Sequence, residues 1–314
     1  MDNLIFCLNA TFPIFLTMLL GVFFRRIGWM DDAFVAKLNK FVFQAALPAL
    51  LFEDLAKVDL ASVWDMGYVG YCFAATLLGI VLCWLLSLFL KNRAVQGEFV
   101  QASYRSSAAL MGIAVIQNVY GDAGMAPLMI IGTVPLYNVM AVVILSVLKP
   151  SRSKIDGALV KRTLLGIVTN PIILGIAAGC LWSGLRLPLP VMLDKTVTNV
   201  GVLATPLGLM ALGASFDLKQ AVGQLRPALA ATFLKLVGLA AIFLPVGAAL
   251  GYTGEKMVGL LVMLGSASTV SCFIMAKNMG HEGTLTSSVV VLSTLFSAFT
   301  MTGWLFLLRT LGLV

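Results

Sequence analysis

The 314-residue chain is 60% hydrophobic and 11% charged, and its formal net charge is +7. A soluble domain of this length needs a far more charged surface, and an outer-membrane barrel would show alternation in place of long apolar runs. The basic residues fall in short clusters between those runs, which is how membrane topology is encoded, and they form no nucleic-acid-binding patch.

The class expected is therefore an all-α polytopic membrane protein. Apolar segments long enough to span occur at roughly 4–24, 34–53, 67–90, 101–120, 124–148, 162–184, 195–214, 228–252, 257–279 and 284–308. The first has no basic residue before it and no small-residue cleavage site after it, so it reads as a transmembrane helix and not as a removed signal. The second ends in Glu53 and Asp54, where a coupling role competes with the commoner solvated helix-end carboxylate. The fourth contains "YRSSAALMGIAVIQNVYG" (Tyr104–Gly121), unusually polar for a bilayer segment. The fifth carries Asn138, an amide with no interfacial position to explain it. In the eighth, Lys235 is expected to snorkel. The ninth includes "LGSASTVSCFIMAKNMG" (264–280), and His281 in the turn after it is expected to be solvated. The five cysteines show no metal or disulfide spacing and read as packing residues.

With the N-terminus outside, the inner loops collect Arg25, Arg26, Lys37, Lys40, Lys91, Arg93, Lys149, Arg152 and others, while the outer side keeps few cations. That asymmetry places both termini on the periplasmic side of a cell inner membrane. The basic linker 149–161 divides the chain into halves, 1–148 and 162–314. Pro13 and Pro171, Gly21 and Gly179, Pro48 and Pro206, and Asp59 and Asp217 are each 158 residues apart, and Gly121 and Gly280 are 159 apart. Two five-helix halves follow, and because five is odd the second enters the membrane inverted. Inverted repeats are a signature of secondary transporters, which bind substrate at the repeat interface.

Discontinuous helices at matching places in the halves are the best sequence pointer to such a site. The fourth segment offers Arg105, Ser106, Ser107 and Gly112; the ninth offers Ser266, Ser268, Thr269 and Ser271. Small residues let backbones cross closely, hydroxyls satisfy groups freed by unwinding, and half-helix N-termini attract anions. Serines in membrane helices more often back-bond to their own turn; the functional reading rests on the symmetry of the two clusters. Arg105 is either an anion-attracting cation or a snorkelling topology residue. Asn138 is expected to pack against a helix or line the site.

The stretches "YRSSAALMGIAVIQNVYGD", "PLYNVMAVVIL", "TNPIILGIAAG", "ATPLGLMALGASFD" and "SASTVSCFIMAKNMG" resemble the auxin efflux carrier family, which includes plant auxin exporters and bacterial malate and malonate permeases. The resemblance covers essentially the whole chain. It implies a fold like the bile-acid symporters and sodium–proton antiporters, a scaffold domain of helices 1, 2, 6 and 7, and a transport domain of helices 3–5 and 8–10. Helices 4 and 9 would break and cross beside the substrate. The family's asparagine falls on Ser107, and its crossover prolines fall on Ala114 and about Ala267, which puts the sharpness of the break in question.

The function expected is a secondary transporter of a small organic anion, a mono- or dicarboxylate such as malonate or malate, working by elevator-like alternating access. A proton- or sodium-coupled carrier of the same fold is the alternative, with a channel or an intramembrane enzyme more remote. HExxH, GxSxG and a nucleotide-binding loop are all missing, so neither catalysis nor direct ATP drive is expected, and no cofactor or metal is called for. The partners expected are the anion, a coupling proton or sodium ion, the lipid bilayer and a second copy of the chain as a homodimer, with no nucleic acid.

Overall fold

The computed structural model describes residues 13, 16–57, 65–108, 115–116, 119–120, 125–149, 165–166, 168–216 and 218–314. The described chain is helical, and no strand occurs among these residues. In chain order the main helices are α1 (16–26), α2 (Asp32–Ala56), α3 (Met66–Ser87), α4 (Gln96–Tyr104), α5 (Ala126–Val147), α6 (Pro171–Gly184), α7 (Val191–Ser215), α8 (Leu225–Ala249), α9 (Glu255–Gly265), α10 (Val270–Asn278) and α11 (Thr284–Thr310), with short helical turns at Arg93–Val95 and Leu218–Gly223. Among the described residues, six helices are long and apolar enough to cross a membrane: α2, α3, most of α5, α7, α8 and α11. The chain is therefore a multi-pass membrane protein.

Local chemistry explains several boundaries. Asp31, Asp65 and Asn170 accept backbone N–H groups at the starts of α2, α3 and α6, and Pro171 follows Asn170 at a position where no donor is lost. Both α2 and α8 contain a π-turn, at Val42–Ala46 and Leu234–Gly238. Large apolar side chains such as Leu78, Trp84, Phe89, Leu181 and Phe306 face outward, as lipid-facing positions do.

The helices pack in two groups. One contains α1, α2, α6 and α7; the other contains α3, α4, α5 and α8 to α11, and α10 lies against α7 and α2 to join them. In the first group glycines set the spacing. A Cβ on Gly21 of α1 would overlap the Met210 carbonyl of α7, and one on Gly213 would overlap the Met18 carbonyl of α1. On α6, Gly175 and Gly179 bring the chain so close to α2 that a Cβ would stand 2.6 Å from the Pro48 carbonyl and 2.8 Å from that of Phe52. Such small-residue contacts let membrane helices gain dispersion energy where no hydrophobic effect drives them together.

In the second group α4, α9 and α10 are short and enclosed. Every residue of α4 and every residue from Met257 to Gly265 of α9 is buried. The apolar stretch of α9 belongs inside the bundle on all sides, whereas α4 carries buried Gln96, Glu98, Gln101 and Ser103; inside the bundle broken backbone can be tolerated.

Candidate functional site

The fourth segment leaves the helix directly after Tyr104. Arg105 is extended (φ −81°, ψ 121°), and Ser106 pairs with Ser268 as an isolated antiparallel bridge. The Ser107 amide donates to the Ala267 carbonyl at 3.0 Å. The ninth segment breaks likewise between Gly265 and Val270, with Ser266 at φ −79°, ψ 168° and Thr269 at φ −80°, ψ 146°. No proline is needed at this break. Ser and Thr hold a helix weakly, and each extended segment of the crossing supplies the other with backbone partners that unwinding removed. Gly112 and Ala114 lie outside the described residues, so the break at 105–107 owes its description to the serines alone.

Breaking α9 releases carbonyls at its C-terminal end. The Met263 carbonyl accepts from the Ser106 hydroxyl, from the Tyr137 hydroxyl at 2.9 Å and from the Lys235 ammonium at 3.4 Å. Lys235 also donates to the Leu264 carbonyl at 2.8 Å. The Ser268 amide, which would have closed that last turn, donates to the Ser293 hydroxyl of α11 at 3.0 Å. Thr269 and Ser271 face each other with hydroxyls 3.2 Å apart at the start of α10, and the Ser268 hydroxyl donates to Cys272 Sγ at 3.6 Å. The buried Ser266 hydroxyl has no hydrogen-bond partner.

Arg105 is only 3% exposed, so it does not snorkel. One guanidinium nitrogen donates to Asn138 Oδ1 and another to Met275 Sδ at 2.7 Å. Asn138, 1% exposed, anchors itself by donating to the Val134 carbonyl of its own helix at 2.8 Å. The described members of the two expected clusters, Arg105, Ser106, Ser107, Asn138, Ser266, Ser268, Thr269 and Ser271, thus meet at one crossing.

Three positions depart from the sequence expectation. Lys235 is fully buried and caps the cut end of α9; the carbonyls freed by the break hold it more effectively than the distant interface could. His281 is 5% exposed, with Nε2 2.9 Å from the Leu145 carbonyl, because the turn after α10 folds under α5. Cys180 is exposed on α6, while Cys72, Cys83 and Cys272 are buried as expected.

Sequence reading missed Glu98, which is 1% exposed on α4. It accepts from the Gly283 amide, the Thr286 amide and the Thr286 hydroxyl, each at 2.9 Å, and so closes the N-terminus of α11. Nothing local marks it, since its partners lie 185 and 188 residues away. At the end of α2, Glu53 accepts from Lys57 at 2.7 Å and from Thr198 at 2.5 Å, and Lys57 also pairs with Asp194 at 2.8 Å. Asp194 first and Glu53 second raise the Lys57 pKa above its ordinary value. These carboxylates are tied between α2 and α7, away from the crossing.

A family profile described as "Membrane transport protein" matches residues 6–305. The chain belongs to that family, the auxin efflux carriers. It is a membrane transport protein. It is also 24% identical over 307 residues to a protein of Rhizobium meliloti (strain 1021) named "Putative malonate transporter", covering 95% of this chain and 94% of that one.

Proposed function

We propose that this carrier moves a small organic anion, a mono- or dicarboxylate of the malonate or malate type, across the inner membrane by alternating access. The observation that carries the reading is the crossing of two broken helices around a buried arginine that pairs with no carboxylate among the described residues. Arg105 has donors to spare beyond Asn138 and Met275, and the extended backbone opens directly into the start of α10, whose dipole favours negative charge. The relative's name fits the same class of substrate.

The arrangement of two inverted five-helix repeats, with both termini periplasmic, belongs to this proposal. Its support is a contact that exchanges with its mate under one shift. Gly21 meets Met210 and Gly179 meets Phe52, and adding 158 to Gly21 and to Phe52 gives Gly179 and Met210. A two-fold axis relating the halves explains both contacts at once. The group of α1, α2, α6 and α7 would be the scaffold and the remaining helices the moving domain. They touch where Gly208 of α7 leaves room for Val270, the first residue of α10, so sliding between the groups would carry the crossing with it.

The test is uptake into proteoliposomes of labelled malonate, malate, lactate and an indole acid under imposed sodium and proton gradients. Saturable uptake of at least one acid is expected, and the gradient that drives it identifies the coupling ion. Absence of both uptake and binding for every acid would overturn the reading.

A further inference from the structure

The two groups of helices meet along α10, which lies against α4, α5 and α11 on one side and against α7 and α2 on the other. Within its own group α10 is fastened by polar contacts. Met275 Sδ accepts from Arg105 at 2.7 Å and from Gln101 at 3.8 Å, and the Ser268 hydroxyl reaches Cys272 Sγ at 3.6 Å. Towards the other group it presents Val270, Ile274 and Asn278, which recur every four residues and so form one stripe along the helix.

The two ends of this stripe hold the other group differently. Val270 Cγ1 and Ile274 Cγ1 stand 3.0 and 3.6 Å from where a Cβ on Gly208 of α7 would lie, an apolar contact with no preferred direction. Asn278 Nδ2 donates to the Ile274 carbonyl of its own helix at 2.8 Å and, across the seam, to the Asn39 carbonyl of α2 at 3.2 Å. The π-turn of α2 begins three residues after Asn39, and the Asn39 carbonyl, which takes the Val42 amide, keeps a second lone pair for Asn278. At this length the bond is near the end of its range. A few tenths of an ångström of further separation ends it, whereas the apolar contact survives sliding.

Resting on the reading in which the two groups slide past each other, we propose that Asn278 is a rate-setting positioning residue of the transport cycle: its bond to the Asn39 carbonyl latches the moving group to α2 in this conformation and must open each time the carrier turns over, while Gly208 gives α10 the clearance to move. The latch touches no anion. It biases the states between which the carrier alternates, so it acts on the maximal rate more than on affinity, which the crossing sets.

Paired cysteines test this. Asn39→Cys/Asn278→Cys, in a background with the exposed Cys180 and with Cys7 replaced by serine, is bridged with a short bis-methanethiosulfonate and compared with the wild type in proteoliposomes. The probe is the labelled acid that the wild type takes up among malonate, malate, lactate and an indole acid. Bridging should abolish uptake, dithiothreitol should restore it, and the bridged protein in detergent should still bind the acid, because the crossing lies wholly within the moving group. Asn278→Ala and Gly208→Ala, which need no bridge, should each change the maximal rate by about two- to tenfold, the worth of one ordinary hydrogen bond, and shift the Kd for the acid less. Uptake at the wild-type rate by the bridged carrier overturns the inference. So does failure of the two cysteines to bridge in the folded protein, and so does an unaltered maximal rate in both alanine variants. Loss of binding together with uptake on bridging would place the contact in the binding site itself and refute it as well. Absence of uptake and binding of every acid by the wild type would instead remove the anion-carrier reading on which the inference rests.

Discussion

Replacing Glu98 with alanine removes the side-chain acceptor of three donors at the N-terminus of α11. Three donors lose their partner: the Gly283 amide, the Thr286 amide and the Thr286 hydroxyl, all at 2.9 Å. Gly283, the N-cap, has no side chain to substitute, and Thr286 is fully buried, so water is poorly placed to replace the carboxylate. A hydrogen bond to a charged group contributes about 1.5–3 kcal/mol, but three bonds to one carboxylate do not add fully. The expected loss is about 3–5 kcal/mol for Glu98→Ala, the range for breaking a buried charged contact. Glu98→Gln keeps one oxygen and should lose about half of that. Thermal unfolding of the purified protein in detergent would rank them wild type above Glu98→Gln above Glu98→Ala. A Glu98→Ala variant as stable as the wild type would refute the claim that this carboxylate holds α11 in place.

The remaining predictions concern packing, the buried arginine and acid stability. Gly21→Ala and Gly179→Ala should each destabilise by about 1–3 kcal/mol or more, because the added Cβ meets a backbone carbonyl that no rotamer change can move; comparable melting-point losses for both would fit the repeat, and neutrality of both would contradict it. Asn138→Leu should cut transport strongly while costing only about 1–2 kcal/mol of stability, since it strips Arg105 of its oxygen acceptor but keeps volume; unaltered uptake would show that Arg105 needs no positioning. At the N-terminal end of α3, the hydrogen bond from Lys256 at 2.6 Å, and then that from the Tyr68 amide, hold the Asp65 carboxyl below its ordinary pKa. Its contribution is complete above the unfolded value of about 3.9 and disappears as pH falls through the lower folded value, so Asp65→Asn should flatten the acid limb of the stability curve below about pH 4 and leave its neutral limb parallel to the wild type.

Much of the fold was readable because a bilayer imposes length and apolarity on each crossing: α2, α3, α5, α7, α8 and α11 fall on the apolar segments expected. The clusters at 105–107 and 266–271 were readable because polar groups are costly in lipid and stand out. That they break without prolines was not readable, since the break depends on mutual backbone pairing between Ser107 and Ala267, 160 residues apart. Lys235 was misplaced for the same reason. Its neighbours in sequence offer only apolar contacts, and the carbonyls that hold it exist only once α9 is cut. His281 follows the pattern, buried by α5 and not by anything near it in the chain.

The central claim is that the crossing of the two broken helices binds the transported anion. The most direct measurement is malonate uptake and malonate binding by the double variant Ser107→Leu/Ser268→Leu, compared with the wild type at equal reconstituted amounts and equal melting temperature. Ser107 and Ser268 sit on the paired extended segments, so leucines there would fill the approach to the start of α10 while leaving the helices outside it intact. Saturable uptake and binding in the wild type, both abolished in the folded double variant, is the expected result. Full uptake with an unchanged Kd in the double variant would mean that the anion binds elsewhere.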